Sequence, residues 1–202
     1  FKFDIIASKV VYKDSGKSNQ NTNTWTIKGA VEQAVTDKLL WTSTLGYNFS
    51  STDTKRKITY DNSNKQVKGD FDSWSVNGRT QLKYTFDITD RINIRPMAGI
   101  SVDYLSQEGY AERGEGYSMD VKPADAFSVR PGIGLESEMI IFGNEVSDLK
   151  IIPGVVYSYE VGNPYKSRDI NLAGFNDAVS VDSRETGRND LNLGIGIEYG
   201  FK

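Results

Sequence analysis

The feature that most constrains the fold of this 202-residue chain is an alternation of apolar and polar side chains that recurs in segment after segment. From Ile92 to Tyr104, every second residue forms an apolar column, and the residues between them form a largely polar one. Successive side chains of a strand point to opposite faces, so this pattern predicts strands with unlike surroundings on their two sides. The same split runs from Trp74 to Ile88 and from Leu191 to Phe201. We therefore expect an antiparallel sheet with one apolar and one polar face.

The spacing of these segments predicts how the sheet is connected. About eight segments of period two are visible, near 1–12, 24–36, 38–50, 72–88, 91–104, 125–141, 149–161 and 189–201. Short connections near 37, 89–91 and 143–145 alternate with long polar ones at 13–23, 51–69, 106–124 and 162–188. Short turns on one side and long loops on the other are typical of outer-membrane barrels. The predicted fold is all-β: one domain over 1–202 that forms an antiparallel up-and-down transmembrane β-barrel.

Composition excludes several classes of function. The chain has no cysteine and no histidine, which excludes disulfides, the common zinc sites and histidine-dependent nucleophiles. A formal net charge of -3 argues against nucleic acid as a partner. We expect no catalytic, cofactor-binding or metal-binding residues. The carboxylates of the polar face are expected to form ion pairs with cations of the same face. The acidic residues are Glu136, Glu138 and Glu160, and the basic residues are Arg95, Arg130 and Lys150.

Aromatic residues on the apolar columns sort into two groups. When the strands are oriented by loop length, one group falls near the long loops: Tyr47, Phe49, Trp74, Tyr104, Phe127, Tyr157 and Tyr159. The other falls near the short turns: Trp41, Tyr84, Phe86, Tyr199 and Phe201. A bilayer selects two such belts because Tyr and Trp combine an apolar body with a polar edge. The sorting favours a membrane-embedded barrel.

The polar columns carry charges of both signs, interleaved with glycines. The candidate lumen-lining residues are Arg79, Lys83, Arg95, Asp103, Arg130, Glu136, Lys150, Glu160 and Glu198. A hydrated lumen would be lined in this way. The alternative is a soluble barrel or sandwich, one that could bind a small ligand, whose apolar face is its core and whose polar face meets water.

Four stretches resemble, in order and spacing, the β-domain of type V autotransporters. The first is Pro96-Met-Ala-Gly99-Ile-Ser-Val-Asp-Tyr104 with the following Tyr110-Ala-Glu112-Arg-Gly114. The others are Ser128-Val-Arg-Pro-Gly132-Ile-Gly134, the segment Ile152 to Glu160, and Arg188-Asn-Asp-Leu-Asn-Leu-Gly194-Ile-Gly196. Each motif is loose alone, and the resemblance covers most of the chain from Trp25 onward.

This resemblance implies a translocator in the bacterial outer membrane that anchors an N-terminal passenger and gives it passage to the cell surface. It implies no enzymatic activity. Its expected partners are outer-membrane lipid, the passenger, an α-helix in the lumen, the barrel-assembly machinery and periplasmic chaperones. The lumen-lining residues would contact the helix or the passenger.

The strand count leaves two alternatives open. Barrels of the resembled family have about twelve strands, within the range of outer-membrane barrels. About eight are visible here, so we expect a domain that is incomplete by about one hairpin at each end. The alternative is a self-contained eight-strand barrel that acts as an adhesin or structural anchor through its long loops. Gly196-x-x-Tyr199-x-Phe201 fits that alternative, because it resembles the terminal signal by which barrel proteins are recognised for assembly.

Overall fold

A computed structural model describes residues 2–14, 18–60, 63–114, 117–143, 146–164, 166–172, 177–182 and 187–201. Two residues of the predicted turn at 143–145, and parts of the predicted loop at 162–188, lie outside these ranges. All the regular secondary structure within them is β-strand. In the same ranges, no helix has the length and apolar character needed to cross a membrane.

The described residues form fourteen strands. In chain order they are β1 (Lys2–Asp14), β2 (Ser18–Ala34), β3 (Leu39–Tyr60), β4 (Ser63–Tyr84), β5 (Phe86–Thr89), β6 (Ile92–Gln107), β7 (Tyr110–Ala111), β8 (Arg113–Gly114), β9 (Met119–Val121), β10 (Ala124–Gly143), β11 (Ser147–Tyr159), β12 (Arg168–Leu172), β13 (Ala178–Val181) and β14 (Asn189–Phe201).

The main sheet is an antiparallel meander of eight strands in the order β1-β2-β3-β4-β6-β10-β11-β14. Short β5 and β8 pair with β6 and β4, respectively. The prediction of an all-β, up-and-down antiparallel fold is confirmed. In the part of the chain that is described, β1 and β14 each pair on one side only, so the sheet is a curled half-barrel with two free edges.

The sheet curls with its polar face inward. One cavity is lined by Lys28 of β2, by Asn192 of β14 and by polar-face residues of the strands between them. The apolar face lies outside, where Ile195 is 72% exposed and Leu193 is 78% exposed. Among the described residues, Val67 and Val121 are the only buried hydrophobic side chains. The alternative of a soluble barrel with an apolar core is therefore wrong, because the apolar face is the outer surface.

The prediction that 51–69 is a loop is wrong. Both β3 and β4 have 22 residues, and their register continues without a shift from Leu39 opposite Tyr84 to Tyr60 opposite Ser63. At about 3.3 Å per residue such a strand is about 70 Å long, whereas about 9–11 residues cross a bilayer. The outer part, residues 51–60 and 63–71, is called the outer hairpin below. Its two faces both lack a continuous apolar column, so the alternation that predicts the membrane strands stops at its base.

The other long connections also contain strands. Most of the predicted loop 13–23 belongs to β1 and β2, and the predicted loops 106–124 and 162–188 contain β7, β8, β9, β12 and β13. Four of these form a second sheet in the order β13-β12-β9-β7, called the outer sheet below. At the opposite end the connections are short, as predicted, and the predicted strand 72–88 is interrupted at Thr85, whose N–H donates to Lys38 O at 2.8 Å.

Candidate functional site: the polar face of the curled sheet

The structure brings the predicted lumen-lining residues to the inner, polar face. The register aligns Glu136 with Arg95, and Arg130 with Ser101, in one alternating column. All nine predicted residues share this column pattern: Arg79 and Lys83 in β4, Arg95 and Asp103 in β6, Arg130 and Glu136 in β10, Lys150 in β11, Glu160 just after it, and Glu198 in β14. The face is therefore assembled from five neighbouring strands of the meander.

One ion-pair network joins four strands near the short-turn end. Lys83 Nζ lies 2.9 Å from Glu136 Oε2, and Arg95 Nη1 lies 3.3 Å from Glu136 Oε1. Arg95 also contacts Glu138, whose other oxygen lies 3.1 Å from Lys150 Nζ. These side chains are between 10% and 22% exposed, so their charges interact in a medium less polar than water. The network links β4, β6, β10 and β11 through charge-assisted contacts.

A second group lies near the long-loop end. Arg130 Nη2 lies 2.6 Å from Asp103 Oδ2, and Arg130 Nε lies 4.0 Å from Glu160 Oε2. Glu160 is buried, and its Oε1 accepts hydrogen bonds from the N–H groups of Val129 at 3.0 Å and Gly162 at 2.7 Å. The Ser128 hydroxyl also contacts Glu160. Each carboxylate of this group is therefore held by cations or N–H groups.

Two cations of the polar face stand outside these networks. Arg79 of β4 and Lys28 of β2 both line the central cavity, and no ion pair found among the described residues involves either side chain. Asp190 and Asn192 of β14 line the same cavity. Sequence reasoning missed Lys28 and Asp190. Their positions follow from the alternation with Ile27 and Leu191, which sets them on the polar faces of β2 and β14.

Glu198 takes part differently from the other predicted residues. It stands directly opposite Lys150 in the β11–β14 register. The Lys150 ammonium, however, contacts Glu138 on the other neighbouring strand. Glu198 is exposed on the edge strand β14, where the curled sheet leaves its inner side open.

The predicted aromatic residues lie in the outer, apolar columns. Near the long loops, Trp74 stacks with Tyr47 at 6.4 Å between ring centroids and contacts Tyr104 at 5.3 Å. Near the short turns, the rings of Tyr84 and Phe86 are 4.7 Å apart, and those of Tyr199 and Phe201 are 4.9 Å apart. Two of these rings have hydrogen-bond partners for their polar groups. The Trp41 Nε1–H donates to Thr80 Oγ1 at 2.8 Å, and the Tyr157 hydroxyl donates to Asn189 Oδ1 at 2.6 Å.

The described part of the polar face contains no group of three or more acidic, histidine or cysteine side chains placed to hold a metal ion. Its chemistry is that of a charged, hydrated surface enclosed by a sheet whose other side is apolar. Such a surface presents hydrogen-bonding and ionic partners to whatever occupies the space inside the curl.

This arrangement of a polar inner face and an apolar outer face defines a class: the strands of an outer-membrane β-barrel. The chain belongs to the family described as "Autotransporter beta-domain", whose sequence model matches residues 2–202. The resemblance found in the sequence motifs is thereby confirmed. Membership places the chain in the bacterial outer membrane, in a family of type V secretion translocators.

Two curated relatives support this assignment. The chain is 24% identical over 132 residues to "Outer membrane protein A" of Rickettsia rickettsii, a match that covers 65% of this chain and 6% of that protein. It is 23% identical over 143 residues to "Outer membrane protein A" of Rickettsia conorii, covering 67% of this chain and 7% of that protein. The chain thus spans a small fraction of the length of the relatives that it matches.

Proposed function

We propose that this chain forms the wall of a passage through the outer membrane, by which an attached N-terminal passenger is exported to the cell surface and anchored there. The nine predicted lumen-lining residues, together with Lys28, provide the polar lining that contacts the passenger or a helix inside the barrel. Passenger export and the roles of these residues go beyond what family membership establishes.

One observation carries the proposal: a single sheet exposes apolar side chains outward and encloses charged ones inward. A charge such as that of Arg79, which has no ion-pair partner among the described residues, would be costly in lipid but is hydrated inside a passage. The interior therefore suits an extended polar chain better than an apolar ligand. An eight-strand barrel closed on itself would be filled by its own side chains.

The adhesin or anchor alternative is less well supported. It requires β1 to pair with β14, and these strands are the two unpaired edges of the described sheet. We therefore propose, as the sequence led us to expect, that about one further hairpin at each edge completes a barrel of about twelve strands. The assembly machinery and periplasmic chaperones remain proposed partners, as the family resemblance implies.

We also propose that no reaction is catalysed on the polar face. Three carboxylates of this face are already engaged: Glu136 and Glu138 by cations, and Glu160 by N–H groups and the Ser128 hydroxyl. A general base must be free to reach a substrate proton. These contacts suit a structural lining.

The test is a double charge reversal, Lys28→Glu with Arg79→Glu, in the full-length parent protein. Neither side chain belongs to the ion-pair networks, so we expect the barrel to fold and insert, as judged by heat-modifiable gel migration. Passenger at the cell surface, measured by protease accessibility on intact cells, should fall at least several-fold. The cause would be a change of the lining from cationic to anionic at the centre of the cavity.

The matched control is Lys55→Glu with Lys57→Glu, which makes the same change in charge on the exposed outer hairpin. Surface passenger should stay at the wild-type level in this variant. If the cavity variant inserts normally and still displays its passenger like wild type, the proposed role of the polar lining is wrong.

A further inference from the structure

The long connections of this chain are folded into a unit of their own. The outer sheet combines two connections that are far apart in sequence: β7 and β9 come from the segment between β6 and β10, and β12 and β13 from the segment between β11 and β14. β9 is the junction, with Val121 paired to Tyr110 on one side and to Ile170 on the other. Val121 is buried there.

This unit is fastened to the outer hairpin. Arg113 and Gly114 of β8 pair with Lys68 and Val67 of β4, and Val67 is fully buried. In β7, the ring of Tyr110 stacks on that of Phe71 with 4.7 Å between centroids. Backbone pairing, ring stacking and burial of an apolar side chain thus act at one place.

The attachment lies on the polar side of the sheet. The β3–β4 register has no shift, so side chains separated by an even number of residues share a face. Phe71 and Val67 therefore face the same way as Arg79, which lines the central cavity. The outer sheet packs against the continuation of the cavity wall, beyond the membrane-spanning strands.

The outer sheet is connected to the main sheet at both of its ends. Its β7 end stands against β4, the fourth strand of the meander, and Glu108 N–H donates to Asp72 O at 3.0 Å. Its other end, β12 and β13, is carried by the connection between the last two strands, β11 and β14. Contact with the polar side of β4 at one end therefore sets the outer sheet toward the inside of the curl, at the long-loop end of the cavity, called the outer mouth below.

A buried ion pair joins the two parts. Arg56 Nη2 lies 2.6 Å from Glu112 Oε2, and Arg56 Nε lies 3.2 Å from Glu112 Oε1, a two-point contact between guanidinium and carboxylate. Arg56 belongs to the outer hairpin, and Glu112 lies between β7 and β8. Glu112 also accepts the Met119 N–H at 3.0 Å, and Arg56 donates to Tyr117 O at 3.1 Å.

The Glu112 carboxylate has little access to water, so while it is buried it depends on Arg56 and its hydrogen-bond donors to compensate its charge. The Glu112 side chain is 3% exposed, and Arg56 is its only charged partner in the described residues. When the loop segment separates from the hairpin, this carboxylate regains water and the arginine loses a partner. The ion pair therefore forms only when the loop segment and the outer hairpin are in contact in this one arrangement.

We propose that the outer sheet is a lid over the outer mouth and that the Arg56–Glu112 pair is its latch. The inference rests on the proposed function, since a lid has a role only over a passage. With the latch closed, access from outside to the cavity is restricted. Opening requires β7, β8 and β9 to leave the outer hairpin together.

The test measures access to the cavity from outside. The chain has no cysteine, so Asn77→Cys, made in a full-length protein in which any cysteine outside this chain is replaced by serine, places a single thiol in the cavity wall. Intact cells are labelled with a membrane-impermeant maleimide, and the labelling rate is compared with that of Lys57→Cys on the exposed outer hairpin. With the lid closed, Asn77→Cys should react at least ten-fold more slowly than Lys57→Cys.

The latch is then opened and reclosed. Adding Arg56→Glu, which sets two carboxylates against each other, should raise the labelling rate of Asn77→Cys several-fold. The charge swap Arg56→Glu with Glu112→Arg should return the rate toward that of the intact latch. Folded barrel is confirmed in each variant by heat-modifiable migration.

Two results would contradict the proposal that the outer sheet is a lid. One is an Asn77→Cys rate equal to that of Lys57→Cys with the latch intact, which would mean that the mouth is open. The other is an unchanged rate when the latch is reversed. The labelling assay does not depend on passenger export. Its outcome is therefore independent of the test of the translocator proposal, which measures passenger at the cell surface.

Discussion

The attachment of the loop to the outer hairpin depends on a glycine at position 114. Its φ of +151° lies in a region that L side chains rarely adopt, and a Cβ added there would collide with Gln66 O and approach the Val67 Cα at 3.0 Å. Glycine permits both the backbone conformation and the close approach. We expect Gly114→Ala to separate β8 from β4 while leaving the membrane strands folded. Limited proteolysis on intact cells should then cut the 108–123 segment several-fold faster.

Gly187→Ala is the control for that change. Gly187 also lies in a long outer connection, but a Cβ there would have no atom within 4 Å and its φ is not in the restricted region. Its digestion pattern should match wild type. Equal protection of the loop in both variants would mean that β8 does not depend on glycine at position 114.

Tyr110 gives the same contact a pH dependence. Burial, followed by the nearby charge of Glu112, raises the pKa of Tyr110 above its ordinary value. The neutral ring is therefore favoured in the folded loop, and its contribution to stability is fully present below the ordinary tyrosine pKa of about 10. That contribution is lost as pH rises through the raised pKa. Ultraviolet titration of the folded protein should show a late-titrating phenolate that is missing in Tyr110→Phe; identical curves would contradict the assignment.

At the scale of a strand, the two faces of β14 differ in what they tolerate. Ile195 is 72% exposed on the apolar face, and Asn192 lines the cavity on the other. Arginine on a lipid-facing strand position near the bilayer centre costs about 2–4 kcal/mol. We expect Ile195→Arg to lower the stability of the full-length barrel by about that amount in urea unfolding from lipid bilayers.

Asn192→Arg places the same side chain three residues away, on the face that is hydrated. Its unfolding midpoint should shift much less than that of Ile195→Arg. If the two variants lose equal stability, the assignment of lipid to the apolar face and water to the polar face does not hold for β14.

Strands were predictable where lipid and water select opposite faces, and unpredictable elsewhere. The alternation from Ile92 to Tyr104 places β6 correctly because one column meets lipid and the other the cavity. Beyond the bilayer that selection ends, so the polar run from Ser51 to Lys57 gives no alternation although it is strand. The outer sheet depends on long-range contacts such as Arg56–Glu112, which no local pattern contains.

The site was predictable to the same extent. Alternation placed Arg79, Glu136 and the other lumen candidates in one column, and pairing of the acidic with the basic residues of that face was expected. It did not reveal that Arg79 would stand apart from the networks, or that Lys28 would share its cavity. Those facts depend on the curl of the whole sheet, which brings β2 and β14 to one space.

For the whole molecule, the decisive feature is the pair of free sheet edges. In lipid, each backbone N–H or C=O without a partner costs several kcal/mol, so membrane sheets close into barrels. Among the described residues β1 and β14 are unpaired on their outer sides, which makes this sheet an incomplete wall by itself. We expect the 202-residue chain refolded in detergent to give no compact, heat-modifiable species.

The same chain extended by the flanking residues of its parent should give that species, with β-sheet circular dichroism that survives until heating. Further strands would pair with β1 and β14 and satisfy their backbone groups, which is why extension should convert an open sheet into a closed one. If instead the 202 residues alone migrate as a heat-modifiable barrel, β1 and β14 must pair with each other, and an interior of eight strands would be too narrow for a chain in transit. The anchor alternative would then replace the translocator, and function would have to lie in the outer hairpin and outer sheet.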